Sequence, residues 1–214
     1  MATIIPAILT DDEAVYREQL QKAQHVAPIV QIDIVDGKFA QNVTVGPSVI
    51  AKYPTSANLE IQIMALDNLF YINDLVDLDF VFRIIVPYEK NHDLKECIYA
   101  ARGKNKQIGI SLNPATSVES IAHLFDDIDL LLLLGVEPGF SGQKFQEKVL
   151  DKIGKAKELS KALAIEVDGG VNFETAPQAA AAGADFLAAN SVLFGAPDFY
   201  VAFEKLAKLA GKTP

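Results

Sequence analysis

The sequence is poor in cysteine, in histidine and in positive charge, and each shortage closes off a class of function. A lone cysteine, Cys97, excludes an intramolecular disulfide and a cysteine-rich zinc site, and reads as a packed, inert thiol. The three histidines, His25, His92 and His123, fall in or beside segments of helical spacing, and no two have metal-ligand spacing. Lys and Arg total 19 against 28 Asp and Glu, a net charge of −9. Nucleic acid and anionic membrane surfaces both require a basic face, so neither is an expected partner. No apolar run approaches the roughly 18 residues of a membrane span. The first ten residues carry no basic cluster and are broken by Pro6, unlike a secretory signal. A cytoplasmic protein is expected.

The chain has 214 residues, half of them apolar. With domains of roughly 100–200 residues and α/β barrels filling 200–250 alone, one domain over 1–214 is expected. No low-complexity or linker-like stretch divides it. Short β-rich apolar runs recur at Ile4–Leu9, Ile29–Val35, Leu59–Met64, Phe80–Val86, Gln107–Leu112, Leu130–Val136, Ala164–Val167 and Asp185–Ala189. Several are continuously apolar, as in parallel strands buried on both faces. Between them Asp11–Ala27, Leu69–Val76, Asp93–Arg102, Val118–Phe125, Gln146–Leu159 and Ala176–Ala182 have helical character. Thr10 or Asp11 is the expected cap of the first, and Gly183 the expected end of the last. Starts of successive runs lie about 26 residues apart, close to one βαβ unit. Eight such units predict a closed (β/α)8 TIM barrel, whose chemistry sits at the C-terminal ends of the strands.

Those ends carry the candidates. In Gln31-Ile-Asp33-Ile-Val-Asp36-Gly37, Asp33 lies within an apolar strand. A carboxylate facing a barrel interior costs several kcal/mol unless it is paired, hydrogen-bonded or protonated, so Asp33 is either a structural hydrogen-bonding group or a functional one. Asp36-Gly37 reads as turn chemistry. Asp168 ends the seventh run and is followed by Gly169 and Gly170, which allow close backbone approach to an anion or simply make a turn. The sixth run leads into Gly139-Phe140-Ser141-Gly142, with a helix expected from near Lys144, and the eighth into Asn190-Ser191. Three adjacent loops bearing glycine or hydroxyl groups after the last strands point to phosphate.

These segments, in this order, resemble the ribulose-phosphate 3-epimerase family along nearly the whole chain. Pro6–Leu9, Asp33–Pro47, Gly109–Thr116, Glu137–Phe145, Glu166–Asn172 and Gly183–Gly195 carry the resemblance. It implies a barrel of the ribulose-phosphate-binding type that interconverts D-ribulose 5-phosphate and D-xylulose 5-phosphate. Two aspartates on opposite faces of the sugar serve as acid and base, and Asp33 and Asp168 match them. The phosphate contacts map to Gly139, Phe140, Ser141, Gly142, Gly169, Gly170, Asn190 and Ser191. The resemblance also implies homo-oligomers, and a divalent metal (Zn, Fe or Mn) held by the aspartates and two histidines. Here those histidines are replaced by Gln31 and Gln62. Ala7, Val35 and Leu134 replace a serine and two methionines, and Asn190 a glycine. No metal or other cofactor is therefore assigned. Gln31 and Gln62 are expected to bind the enediolate oxygens with their amides. Two alternatives stand beside this reading: an epimerase of another ketose phosphate, and a sugar-phosphate-binding barrel without catalysis.

Overall fold

The computed structural model describes residues 1–140 and 142–211. Eight parallel strands close on themselves in sequence order. They are β1 (Thr3–Ile8), β2 (Ile29–Val35), β3 (Asn58–Met64), β4 (Val81–Pro87), β5 (Gln107–Leu112), β6 (Leu130–Leu134), β7 (Ala164–Asp168) and β8 (Phe186–Ala189). The helices are α1 (Glu13–Ala23), α2 (Pro47–Lys52), α3 (Asn68–Leu75), α4 (Leu94–Gly103), α5 (Lys148–Leu159), α6 (Thr175–Ala182), α7 (Ser191–Phe194) and α8 (Phe199–Ala210). Among the described residues no helix is long and apolar enough to cross a membrane.

The pleat explains why the strands read as continuous apolar runs. Alternate residues face the helices and the barrel interior, and closure leaves neither face in water. In β6, Leu131 and Leu133 join the large core beneath the helices, while Leu130, Leu132 and Leu134 pack inside the barrel with Ile85. In β2 and β3, Ile32, Ile34, Ile61 and Ile63 face the helices. The interior positions between them are Gln31, Asp33, Glu60 and Gln62, all buried. One side of the interior is thus apolar and the other a column of amides and carboxyls.

Local signals account for the helix ends. Asp12, one residue beyond the expected cap, accepts from the backbone N–H groups of Ala14 and Val15. Gly183 ends α6 with φ 111°, a left-handed conformation that glycine adopts without a Cβ penalty. Residues 118–124 form a 3-10 helix rather than an α-helix. The helix expected from near Lys144 starts instead at Lys148, so residues 142–147 extend the loop after β6. Helices α2, α7 and α8 were not read from the sequence: α2 is six residues long and opens on Pro47, α7 is four residues long, and α8 lies beyond the last strand. Cys97 is fully buried in α4.

Candidate active site

A cleft of about 550 Å³ opens at the C-terminal ends of the strands. Asp33 and Asp168 form its floor, Leu9, Met64 and Leu134 its apolar side, and Gly139, Phe140, Gly142, Gly169, Gly170, Asn190 and Ser191 its rim. The structure thus brings these sequence-derived candidates into one place. Ser141 lies outside the described residues. Asn190 turns its side chain inward, donating from Nδ2 to Ala7 O at 2.7 Å.

The rim backbone has the shape that glycine permits. Gly169 and Gly170 have φ of 94° and 74°. A Cβ on Gly170 would stand 2.8 Å from Phe145 Cα, backbone that cannot move aside cheaply. Gly170→Ala combines this clash with about 1–2 kcal/mol of left-handed strain, and is expected to weaken sugar-phosphate binding roughly tenfold. Titration calorimetry with inorganic phosphate and with ribulose 5-phosphate checks this; unchanged affinity for both would remove the rim from phosphate binding.

The loop after β2 packs Phe39 with Val35 and Met64 beside the cleft and is fastened at several points. Asp36 is the turn residue expected, accepting from the N–H groups of Lys38, Phe39 and Leu66. Thr44 Oγ1 accepts from Val35 N and donates to Asp33 O, fixing the strand end that carries Asp33. Asn42 Nδ2 donates to Gly139 O at 2.7 Å, joining this loop to the glycine loop after β6. Lys90 donates to Phe39 O from the loop after β4.

Beneath the cleft lies a hydrogen-bonded network of amides and carboxyls. Gln31 and Gln62 are fully buried, and neither lines the cleft. Gln31 Nε2 donates to Asp33 Oδ1 at 2.7 Å and to Gln62 Oε1 at 2.9 Å. With the Gln62 amide turned over, its nitrogen lies 2.8 Å from Asp168 Oδ2 and 3.1 Å from Asp33 Oδ1. The glutamines thus meet the two aspartates. Gln31 lies two residues before Asp33 on the same face of β2, and Gln62 pairs in register with Asp33 on β3.

One step deeper, Glu60, Arg83 and Glu166 are buried together. Arg83 Nη1 donates to Glu60 Oε2 at 2.7 Å, and its other nitrogens donate to Gln107 Oε1 at 3.0 and 2.9 Å. Its guanidinium also lies 4.6 Å from the centre of the Phe82 ring. Neither Glu166 oxygen has a donor among the described residues. Burial and the neighbouring Glu60 charge raise the Glu166 carboxyl well above its ordinary range. The sequence reading did not single out this cluster. Its signal was present, since Glu60 and Gln62, and Glu166 and Asp168, stand at i and i+2 on one strand face.

The same burial acts on the aspartates. Desolvation first, and then the Asp168 charge, raise Asp33 well above the ordinary value of 3.8. Desolvation raises Asp168 to about 6, against the opposing hydrogen bonds from Gln31 and the Gly169 backbone. Each of the two carboxyls therefore holds its proton more tightly than an ordinary aspartate.

The Zn or Fe implied by the resemblance does not fit this donor set. Among the described residues no three His, Cys, Asp or Glu side chains are gathered as ligands. Gln31 presents an N–H to Asp33, and an amide nitrogen has no lone pair to give a metal. Two amides and two carboxyls lack the imidazole or thiolate that Zn and Fe favour.

Comparison with known proteins agrees with the motifs. Residues 3–194 match the model of the ribulose-phosphate 3 epimerase family. The chain is 36% identical over 206 residues to ribulose-phosphate 3-epimerase of Bacillus subtilis, covering 92% of this chain and 94% of that protein. It is 32% identical to the protein of the same name from Methanocaldococcus jannaschii, with 98% and 92% covered. Among solved structures, 3-hexulose-6-phosphate synthase of Salmonella typhimurium superposes with a TM-score of 0.69 at 17% identity, covering 97% of each chain. Orotidine 5'-phosphate decarboxylase of Pyrococcus horikoshii does so with 0.70 at 12%, covering 99% of this chain and 100% of that one. At such identities these two share the barrel alone.

Proposed function

Since the chain belongs to the ribulose-phosphate 3-epimerase family, we propose that it is an isomerase epimerising a ketose phosphate at C3, with D-ribulose 5-phosphate as substrate and Asp33 and Asp168 as acid and base. The observation that carries this reading is the floor of the cleft: two carboxyls from β2 and β7 stand beneath one opening, and burial raises both above the ordinary aspartate range. Proton exchange at a sugar carbon needs a base on one face and an acid on the other. The ionised aspartate takes the C3 proton, the enediolate forms, and the protonated aspartate returns a proton to the opposite face. The phosphate is held at the glycine rim by backbone N–H groups, which requires no positive net charge. Leu9, Met64, Leu134 and the Phe39 loop exclude water from the intermediate.

The test is a coupled assay of ribulose 5-phosphate epimerisation on chelated protein and on the same protein supplied with Mn or Zn. Epimerisation that survives chelation is the expected result; activity found only with added metal overturns the metal-free form of the reading. Elemental analysis of purified protein is expected to find no stoichiometric Zn or Fe, and about one ion per chain, lost on Asp33→Asn, would contradict it. Binding without turnover under every condition would make the chain a sugar-phosphate-binding barrel.

A further inference from the structure

The loop after β2 and the glycine loop after β6 are far apart in sequence, and one side chain joins them. Asn42 Nδ2 donates to Gly139 O at 2.7 Å, and a Cβ on Gly139 would stand 3.1 Å from Ala40 Cβ. The Asn42 amide is held at its other end as well, because Oδ1 accepts from Val43 N at 2.9 Å. Gly139 O and the N–H of Phe140 belong to one planar trans peptide, so they point in opposite directions. A donor on the oxygen therefore fixes where the Phe140 N–H points, and polarises it into a stronger donor. Gln143 occupies the neighbouring carbonyls, donating from Nε2 to Glu137 O at 2.8 Å and to Phe140 O at 2.9 Å. The oxygens of Glu137, Gly139 and Phe140 are thus taken up by side-chain amides. Among the described residues the N–H groups of Gly139 and Phe140 have no acceptor.

The other end of this link is Phe39. Among the described residues, the hydrogen bonds that join residues 37–43 to other elements are those of Asn42 and of Lys90, which donates to Phe39 O at 3.2 Å. Lys90 Nζ also lies 5.1 Å from the centre of the Phe39 ring. That ring packs on Val35 and Met64, with Leu9 against them. Leu9 and Met64 line the cleft, whereas no residue of 36–46 does. We propose that Asn42 is a positioning residue that couples the glycine rim to the loop after β2: an anion seated on the rim N–H groups tightens the Asn42–Gly139 hydrogen bond, and the tightened bond holds Phe39 against the apolar side of the cleft while substrate is bound. This inference rests on the reading of the rim as the phosphate site.

Such a coupling is reciprocal. The factor by which phosphate favours the tethered loop equals the factor by which the tethered loop tightens phosphate. In Asn42→Ala the rim peptide loses its anchor and the Phe39 loop its hold on the glycine loop. Affinity for inorganic phosphate is then expected to fall about fivefold, the low end of such couplings. The kcat for ribulose 5-phosphate should fall by a similar factor, because Phe39 stays loose even when the rim is saturated. A residue serving phosphate alone would raise KM and leave kcat unchanged. Lys90→Met loosens the same loop from the side of β4 and leaves its link to the rim intact.

The test uses full-length protein without sugar. It follows hydrogen exchange of the Phe39, Asn42 and Val43 amides with and without saturating inorganic phosphate, alongside phosphate titration by calorimetry. The acceptors of these amides lie within the loop, at Asp36 Oδ1, Ala40 O and Asn42 Oδ1, so their exchange reports its opening. In wild type and in Lys90→Met, phosphate is expected to slow their exchange about fivefold. In Asn42→Ala it should have no effect, and the affinity lost there should match the slowing seen in wild type. Should Asn42→Ala fail to fold, Asn42→Asp takes its place, since it removes the donor to Gly139 O and keeps the acceptor for Val43 N. An equal response to phosphate in wild type and the Asn42 variant, or a response lost in Lys90→Met as well, overturns the coupling. Phosphate bound to wild type with no slowing of exchange overturns this inference alone; no phosphate binding to wild type overturns it together with the reading of the rim.

Discussion

Asp33→Asn and Asp168→Asn are each expected to lower kcat for ribulose 5-phosphate epimerisation by about 10²–10⁴, the range of a lost general acid or base. KM should change little, since the phosphate rim is untouched. Both variants should also be more stable than wild type at neutral pH, which separates lost chemistry from lost folding. The direction follows from the raised carboxyls. Asp168 moves from the ordinary 3.8 to about 6 on folding, so between these values the folded chain binds more protons than the unfolded one. Stability is then full below about pH 4 and falls as pH rises through about 6. Asp33 acts in the same direction. Asparagine removes the burden, and the stability difference from wild type should grow between pH 4 and pH 8 in urea titrations. The pH profile of wild-type kcat should be bell-shaped: its acid limb marks the first ionisation of the pair, and its alkaline limb the loss of the remaining proton. Equal losses of activity and stability in both variants would instead make the aspartates structural.

The second large effect concerns stability alone. Arg83→Met is expected to destabilise the fold by about 3–5 kcal/mol at pH 8, because it leaves the Glu60 charge buried and unpaired. The loss should shrink at pH 5, where Glu60, already raised by burial, is protonated more readily once Arg83 is gone. A triple variant, Arg83→Met with Glu60→Leu and Glu166→Leu, should recover most of the loss, since an apolar replacement of similar volume removes every charge that needed pairing. Urea unfolding at the two pH values measures this. A single variant as stable as wild type at pH 8 would show that the cluster contributes nothing to holding the barrel together.

The strand–helix alternation and the closed barrel were legible because each strand is buried on both faces and reads as an apolar run. Asp33 and Asp168 were legible for the complementary reason: a carboxyl inside such a run has no apolar explanation. The glycine rim was legible from its residue types. What stayed hidden were properties set by depth and register. Position along a strand is visible in sequence, whereas the cross-strand register that brings Gln31 and Gln62 against the aspartates is not. Arg83 was lost within the run Phe80–Val86, its partners Glu60 and Gln107 being contributed by neighbouring strands. Helix α2 is too short for its 3.6-residue period to show, and the start of α5 depends on a glycine loop longer than its sequence pattern implied.

Release of deuterium from D-[3-2H]ribulose 5-phosphate into water by chelated wild-type protein tests the central claim most directly, because it reads the proton transfer itself without coupling enzymes. The expected result is release well above the uncatalysed rate, accompanied by D-xylulose 5-phosphate and abolished by Asp33→Asn and by Asp168→Asn. Substrate shown by calorimetry to be bound, with no deuterium released above background, would contradict it.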